Sequence, residues 1–284
     1  MVNGIKLKLV SHFYCGKDWK SNRAIKMWFA CFRHYSKMFD DCLVVVATDD
    51  VENDEFNHEA VARIADASFC RNTTVKIERN TSYRESRTFF DEVVNATYDG
   101  LVFFSHTKGY TNYGAYPQEN IDSFILGLWW YSLSNPAEAV ASLTFDRGIN
   151  NFFFGSFPIM NSDKTICFDQ TYYGAFFWSN MNNVRFELGH SIENVWGSFP
   201  PPLSSRMYSE KFAGMILEHW RDFKETGDMT LGKNKLAFIS GLDLYNFNNG
   251  GECVRLCCEH KDAEEYKDFL AFSDKILKEV DGNG

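Results

Sequence analysis

Apolar positions in the first hundred residues fall alternately into strand-like and helix-like spacing. Residues 5–10 (IKLKLV) alternate apolar and basic side chains, as a half-buried outer strand does. Between residues 19 and 39, Ile25, Trp28, Phe29, Phe32, Tyr35 and Met38 recur every three or four positions with Lys, Arg and His between them, the stripe of an amphipathic helix. Residues 43–47 (LVVVA) form a short unbroken apolar run, typical of a strand buried on both faces of a parallel sheet, and lead into Thr48-Asp49-Asp50. A second helix is expected over 57–67 and a third strand over 74–78 (TVKIE). Asn80-Thr81-Ser82 then offers cap residues for a helix over 84–95, with Glu85 in its first turn. The fourth strand, 101–104 (LVFF), is the most apolar. Such alternation predicts βαβ units and an α/β fold with a mostly parallel sheet.

After residue 135 the runs shorten. Residues 152–154 (FFF) and 172–178 (YYGAFFW), bounded by Asn, Ser, Gly or Asp, read as strands or aromatic loops. Pro200-Pro201-Pro202 breaks the chain, a helix is expected over 208–223, and a charged amphipathic helix over 263–280 stops at Asp281-Gly282. Residues 121–133 (IDSFILGLWWYSL) are the most apolar stretch, yet they fall short of the ~18 residues that span a bilayer and contain Asp122, so a buried helix is expected. No internal repeat or linker is visible. One domain over 1–284 is expected, with an α/β half (1–134), an aromatic half (135–250) and a helical appendage (251–284).

Composition narrows the function classes. With 45% hydrophobic residues and 6 prolines, the chain has material for a large core and no sign of disorder. Its 27 Phe, 13 Tyr and 7 Trp exceed what a core needs, and the surplus either enlarges that core or stacks on sugars and bases. A net charge of −9 counts against nucleic acid as a partner, because phosphate-backbone binding needs a basic face. Met1 to Lys8 lacks the charged, apolar and small-residue succession of a secretory signal, and the 8 cysteines then read as reduced thiols, so a cytoplasmic setting is expected. Cys253, Cys257, Cys258 and His260 cluster, but without the second, separated ligand pair of a zinc site.

Candidate chemistry gathers where the most apolar strand ends. Residues 101–109 (LVFFSHTKG) pass abruptly from strand to polar turn, and in open α/β sheets ligands bind beyond the carboxyl ends of strands. Lys108, held at a strand end by Gly109, is a compact cation suited to a diphosphate, and Thr107 and His106 add hydrogen-bond donors. An ordinary polar loop with a structural histidine is the alternative reading. Asp49-Asp50 is either a cation-holding pair or a solvated helix cap. No G-x-x-x-x-G-K-[ST] loop is present, which places phosphoryl transfer last.

The run His106-Thr107-Lys108-Gly109, followed by Gly174-Ala175-Phe176-Phe177-Trp178 and then by Arg206-Met207-Tyr208-Ser209-Glu210, resembles a family of bacterial glycosyltransferase-like proteins found in polysaccharide gene sets. In that family an apolar strand ends in HTKG, a G-N-F-W-W-like element follows, and an R-Y-x-x-E-like element opens a helix. Residues 80–89, with Glu85 and Thr88, look like the family's approach to that strand, so the resemblance spans roughly residues 75–220. Ala175 stands where the family often has Asn, Phe177 where it often has Trp, and Met207 interrupts the Arg-Tyr pair.

The resemblance implies a GT-A-like fold whose Rossmann-type half, 1–134, binds a nucleotide sugar, while residues 135–250 face a saccharide or glycoconjugate acceptor. In that fold the fourth strand usually ends in an Asp-x-Asp motif whose metal bridges the donor phosphates. Here His106-Thr107-Lys108 occupies the place, so Lys108, with Arg84 or Arg87, is expected to neutralise the leaving diphosphate, and a need for Mn or Mg stays open. The donor-binding candidates are Lys108, Thr107, Gly109, Arg84 and Asp49. Inverting transfer needs a base, and Glu210 is the first candidate, with His106 beside the donor and Asp122 and Glu193 in reserve. Trp178, Phe177 and Tyr173 are candidates to stack on the acceptor and Arg206 to orient Glu210. The same rings serve equally as core, and Arg206 and Glu210 equally as a surface pair. Lipid-linked acceptors would bring the chain to a membrane periphery, although no basic amphipathic helix supports this. A non-catalytic carbohydrate-binding or scaffold protein on the same fold is the rival reading.

Overall fold

Continuous apolar strands can pair side by side only if helices cover both faces of the sheet they make. The computed structural model, described here for residues 1–81, 85–108, 110, 117–144, 153–155, 158–160, 170–172, 176–188 and 263–282, builds that arrangement. Strands β1 (Leu7–Cys15), β2 (Asp41–Thr48), β3 (Asn72–Arg79) and β4 (Leu101–His106) alternate with helices α1 (Arg23–Tyr35), α2 (Asp54–Ala67) and α3 (Glu85–Phe89). Helices α4 (Gln118–Leu133) and α5 (Pro136–Thr144) follow, then short strands β5 (Phe153–Gly155), β6 (Pro158–Met160), β7 (Gln170–Tyr172) and β8 (Phe177–Ser179), helix α6 (Met181–Leu188) and the terminal helix α7 (Ala263–Gly282).

Six strands form one sheet in the order β3-β2-β1-β4-β8-β5. The first four are parallel, β8 runs antiparallel to β4, and β5 antiparallel to β8. Two strands from beyond residue 135 therefore complete the sheet of the first half. The chain lays down β1, β2 and β3 in one direction and then returns to the other side of β1 with β4. That reversal makes the carboxyl ends of β1 and β4 the switch point of an α/β sheet, the place where such sheets leave a crevice for ligands.

Alternate residues of β1 and β4 feed two cores. Leu7, Leu9 and Phe13 of β1, with Phe103 of β4, pack under α1, α4 and α7, where Trp28, Phe32, Trp129, Phe176 and Trp178 are buried. On the opposite face, Phe104 and Phe177, neighbours across β4 and β8, close around Phe89 of α3 with ring centroids 5.1 and 5.4 Å away. Asn22 caps α1 by accepting the Ala24 N–H, and Arg33 sits in its last turn, where its charge complements the helix dipole. Gly100 precedes β4 at φ +155°, and any Cβ there would collide with the Lys6 carbonyl.

Several expectations shift. The first strand runs on to Cys15, because the polar pair Ser11-His12 is accommodated inside: Ser11 Oγ accepts hydrogen bonds from Trp28 Nε1 and Ser105 Oγ, both 3.0 Å. The helix expected over 84–95 is α-helical only to Phe89, then widens into a π-helical turn, Phe90–Val94, which the Asn95 N–H closes onto the Phe90 carbonyl at 2.8 Å. Pro136–Thr144 is a helix where only short runs were expected, with Pro at its first position. The expected buried helix is α4, and the helix expected over 208–223 lies outside the described residues.

Candidate functional site

Parallel register places His12 of β1 beside His106 of β4, both on the α3 side of the sheet and both buried. His12 Nδ1 lies 2.9 Å from Thr88 Oγ1 on α3, in a turn that also buries Glu85 and Ser86. Beyond His106 the two strands remain laced together. The Thr107 N–H donates to the His12 carbonyl and Thr107 Oγ1 accepts the Tyr14 N–H, both at 3.0 Å. The Lys108 N–H then bonds back to the His106 carbonyl at 2.8 Å, a three-residue turn that ends the strand and leaves Lys108 half-exposed at the mouth of the switch point. Thr107 is thus the tie that fixes the lysine's backbone relative to β1.

Tyr14 links this turn to the end of β2. Its hydroxyl donates to Asp49 Oδ2 at 2.7 Å, and Asn80, at the end of β3, donates to Asp49 Oδ1 at 2.9 Å. The exposed Asp49 carboxylate is therefore aimed rather than freely rotating. Asn80 is itself fixed by its N–H to the Thr48 carbonyl at 2.8 Å, and the Asp50 N–H bonds Thr48 Oγ1 at 3.1 Å. On the other flank Tyr110 packs edge-on against Tyr14, with centroids 4.8 Å apart and planes at 82°. The Tyr110 hydroxyl donates to Asp18 and lies over Gly16, where any Cβ would displace it. That hydroxyl holds the Asp18 carboxyl below the usual carboxylate range, while burial, with Asp18 beside it, raises the Tyr110 phenol. The Tyr110 carbonyl accepts from Asn22 Nδ2 at 3.2 Å.

The described face thus offers a lysine at the end of β4, an oriented carboxylate at the end of β2, a second carboxylate at Asp18, and two tyrosine rings between them. A cation meets phosphate oxygens, carboxylates accept from sugar hydroxyls, and aromatic rings cover apolar faces.

His106, Thr107, Lys108 and Asp49 are brought together, and Tyr14 is the residue that joins them. Asp122 is placed elsewhere in function: it is buried and held by Arg23, whose Nε lies 3.1 and 2.9 Å from its two oxygens and whose Nη2 lies 2.8 Å from Oδ2. Arg23 also reaches Asp281 of α7, so this pair fastens three helices and its carboxylate is not free for proton transfer. Phe177 and Trp178 are 0% exposed, with Trp178 Nε1 donating to the Ser132 carbonyl at 2.8 Å, so their faces are covered by core and not presented to an acceptor. Arg87 is exposed and pairs with Asp91 at 3.4 Å. Gly109, Arg84, Tyr173, Arg206, Glu210, Glu193 and the Cys253–His260 cluster lie outside the described residues.

Sequence reasoning missed His12, Tyr14, Asp18 and Tyr110. Ending the first strand at residue 10 hid the first two; carrying it to Cys15 would have set His12 level with His106. Among the described residues no group of three or more His, Cys, Asp or Glu is placed to hold a metal ion, and no helix is long and apolar enough to cross a membrane. No protein-family model, curated protein or solved structure matches the chain.

Proposed function

We propose that this protein transfers a sugar from a nucleotide-sugar donor to a saccharide or glycoconjugate acceptor, with the donor diphosphate at Lys108. The observation that carries this reading is the Thr107 tie, which sets Lys108 at the switch point between β1 and β4. Asp49, aimed by Tyr14 and Asn80, stands at the end of β2, where dinucleotide-binding sheets present an acidic residue to ribose hydroxyls. The resemblance of the HTKG segment to the GT-A-like family implies the diphosphate end of the donor at Lys108; the ribose end at Asp49 rests on its place at the end of β2 alone.

In the reaction the acceptor hydroxyl oxygen bonds to the anomeric carbon as the bond from that carbon to the diphosphate oxygen breaks. The hydroxyl proton passes to a base, for which Glu210 is the candidate, and the new charge on the diphosphate is met by Lys108. A lysine 4 Å from one such charge contributes about 4 kcal/mol at an effective dielectric of 20, partly in the ground state and more as charge builds. A carboxylate-held cation does not fit the end of β4, because the residue there is itself a cation.

Release of nucleoside diphosphate, measured for each nucleotide sugar with and without saccharide acceptors, tests the proposal. Acceptor-stimulated release lost in Lys108→Ala supports it. Donor binding with no release on any acceptor favours a carbohydrate-binding protein on this fold.

A further inference from the structure

Strand β3 ends the sheet: among the described residues no strand lies on its far side, and along its eight residues every side chain is at least partly exposed. Sheet edges are guarded by shortness, bulges, proline or charged side chains, and on β3 the guard is charge alone, from Lys76, Glu78 and Arg79. This edge is eight regular residues in register with β2, without proline. Two of the four large apolar side chains exposed among the described residues belong to it or precede it, Ile77 on the strand and Phe69 three residues before its start.

Its charges are arranged for a second copy of itself. Lys76 and Glu78 project from one face, with Ile77 between them on the other. A two-fold axis normal to the sheet pairs two edges antiparallel and keeps like faces together, so the axis must pass through a residue rather than between residues. Centred on Lys76 or Glu78, it sets like charges opposite each other, which is unfavourable. Centred on Val75, it leaves Lys76 facing Thr74 and Glu78 facing Asn72. Centred on Ile77, it sets each Lys76 opposite the other copy's Glu78, twice, and brings the two Ile77 side chains together. Lys76 is already pre-positioned on that face by Glu92, at 2.5 Å.

We infer that two copies of this chain join through their β3 edges, antiparallel about Ile77, to make one continuous sheet. The carboxyl ends of the two parallel sets then point to opposite sides of the joined sheet, so the two Lys108 sites work independently. The occupant is a second copy because the charge pattern is complementary to itself only in this register.

Sedimentation equilibrium over a concentration series, with disulfide trapping, tests the pairing. The expected mass is twice 32.8 kDa. Glu78→Lys replaces two attractive pairs by two repulsive ones and raises the dissociation constant by roughly tenfold or more. Ile77→Cys, whose Cβ atoms would lie about 4.5–5.5 Å apart across the axis, forms a reducible cross-linked dimer under mild oxidation that neither wild type nor Thr74→Cys forms. A monomer at every concentration, or a dimer indifferent to Glu78→Lys and not trapped through Ile77→Cys, overturns the inference.

Discussion

Removing the Arg23 side chain separates two accounts of Asp122. A structural ion pair makes stability depend on Arg23, whereas a proton-transfer role makes turnover depend on the Asp122 carboxylate. In the structure Arg23 grips Asp122 through two nitrogens at 2.8 to 3.1 Å, with side-chain exposures of 19% and 6%. Arg23→Ala leaves a buried carboxylate without its countercharge, a change that costs about 3–5 kcal/mol when a pair is wholly buried. Arg23 reaches the surface, so the lower end applies, about 3 kcal/mol. At roughly 2–4 °C per kcal/mol for a chain of this size, the thermal midpoint falls by about 6–12 °C. Asp281, 59% exposed, adds little to the grip, so Asp281→Ala moves the midpoint by no more than about 2–4 °C, the equivalent of 1 kcal/mol at most. Replacing both Arg23 and Asp122 by Leu recovers most of the loss, since neither charge is then stranded. Scanning calorimetry of the wild type and the four variants, Asp122→Asn included, is the assay, with turnover measured for Asp122→Asn. An Arg23→Ala midpoint equal to wild type refutes the ion-pair account, and so does Asp122→Asn that abolishes turnover at full stability.

Thr107→Val deprives the partly buried Tyr14 N–H of its acceptor and costs about 1 kcal/mol in urea unfolding, whereas Thr107→Ser keeps the bond; equal stability of the two variants would remove the tie from the account. Cys70 is lowered to about 7 by a hydrogen bond from the Cys42 thiol, so its thiolate fraction, and with it alkylation by iodoacetamide, rises steeply as pH climbs through 7. Peptide mapping should show Cys42, pushed far up by Cys70 and by burial, unmodified there, and Cys42→Ala should move the Cys70 profile to higher pH; an unmoved profile contradicts the pairing. Trp178→Phe removes the buried indole hydrogen bond to the Ser132 carbonyl and lowers stability by roughly 0.5–1.5 kcal/mol. If acceptor KM changes while stability does not, Trp178 lies at the acceptor after all.

The parallel frame was legible because β2 and β4 are unbroken apolar runs, and the 3.6-residue stripe marked α1 for the same reason. Ser11 and His12 were illegible as strand residues: the partners that satisfy them, Trp28, Ser105 and Thr88, come from distant parts of the chain. The π-helical turn after α3 left no trace in the spacing, since Phe89, Phe90, Val93 and Val94 suit an α-helix equally well. At the site, Lys108 and Thr107 stood out from the abrupt change of polarity after LVFF. Tyr14 did not, because its role depends on Asp49 and Thr107 arriving at its two ends through pairing of β1 with both neighbours. Composition could not divide aromatic rings between core and surface; burial assigns Phe177 and Trp178 to the core and leaves Tyr14 and Tyr110 at the site.

The most direct test of the central claim is thermal stabilisation of the wild type and Lys108→Ala by a panel of nucleotides and nucleotide sugars, with and without Mn²⁺ or Mg²⁺. A ligand that binds only the native state at a hundred times its dissociation constant adds about 2.7 kcal/mol. The account predicts a raised midpoint with at least one nucleoside diphosphate sugar, retained without added metal and lost in Lys108→Ala, whose unliganded midpoint matches wild type. No shift with any compound, or an equal shift in Lys108→Ala, contradicts a donor diphosphate at the end of β4.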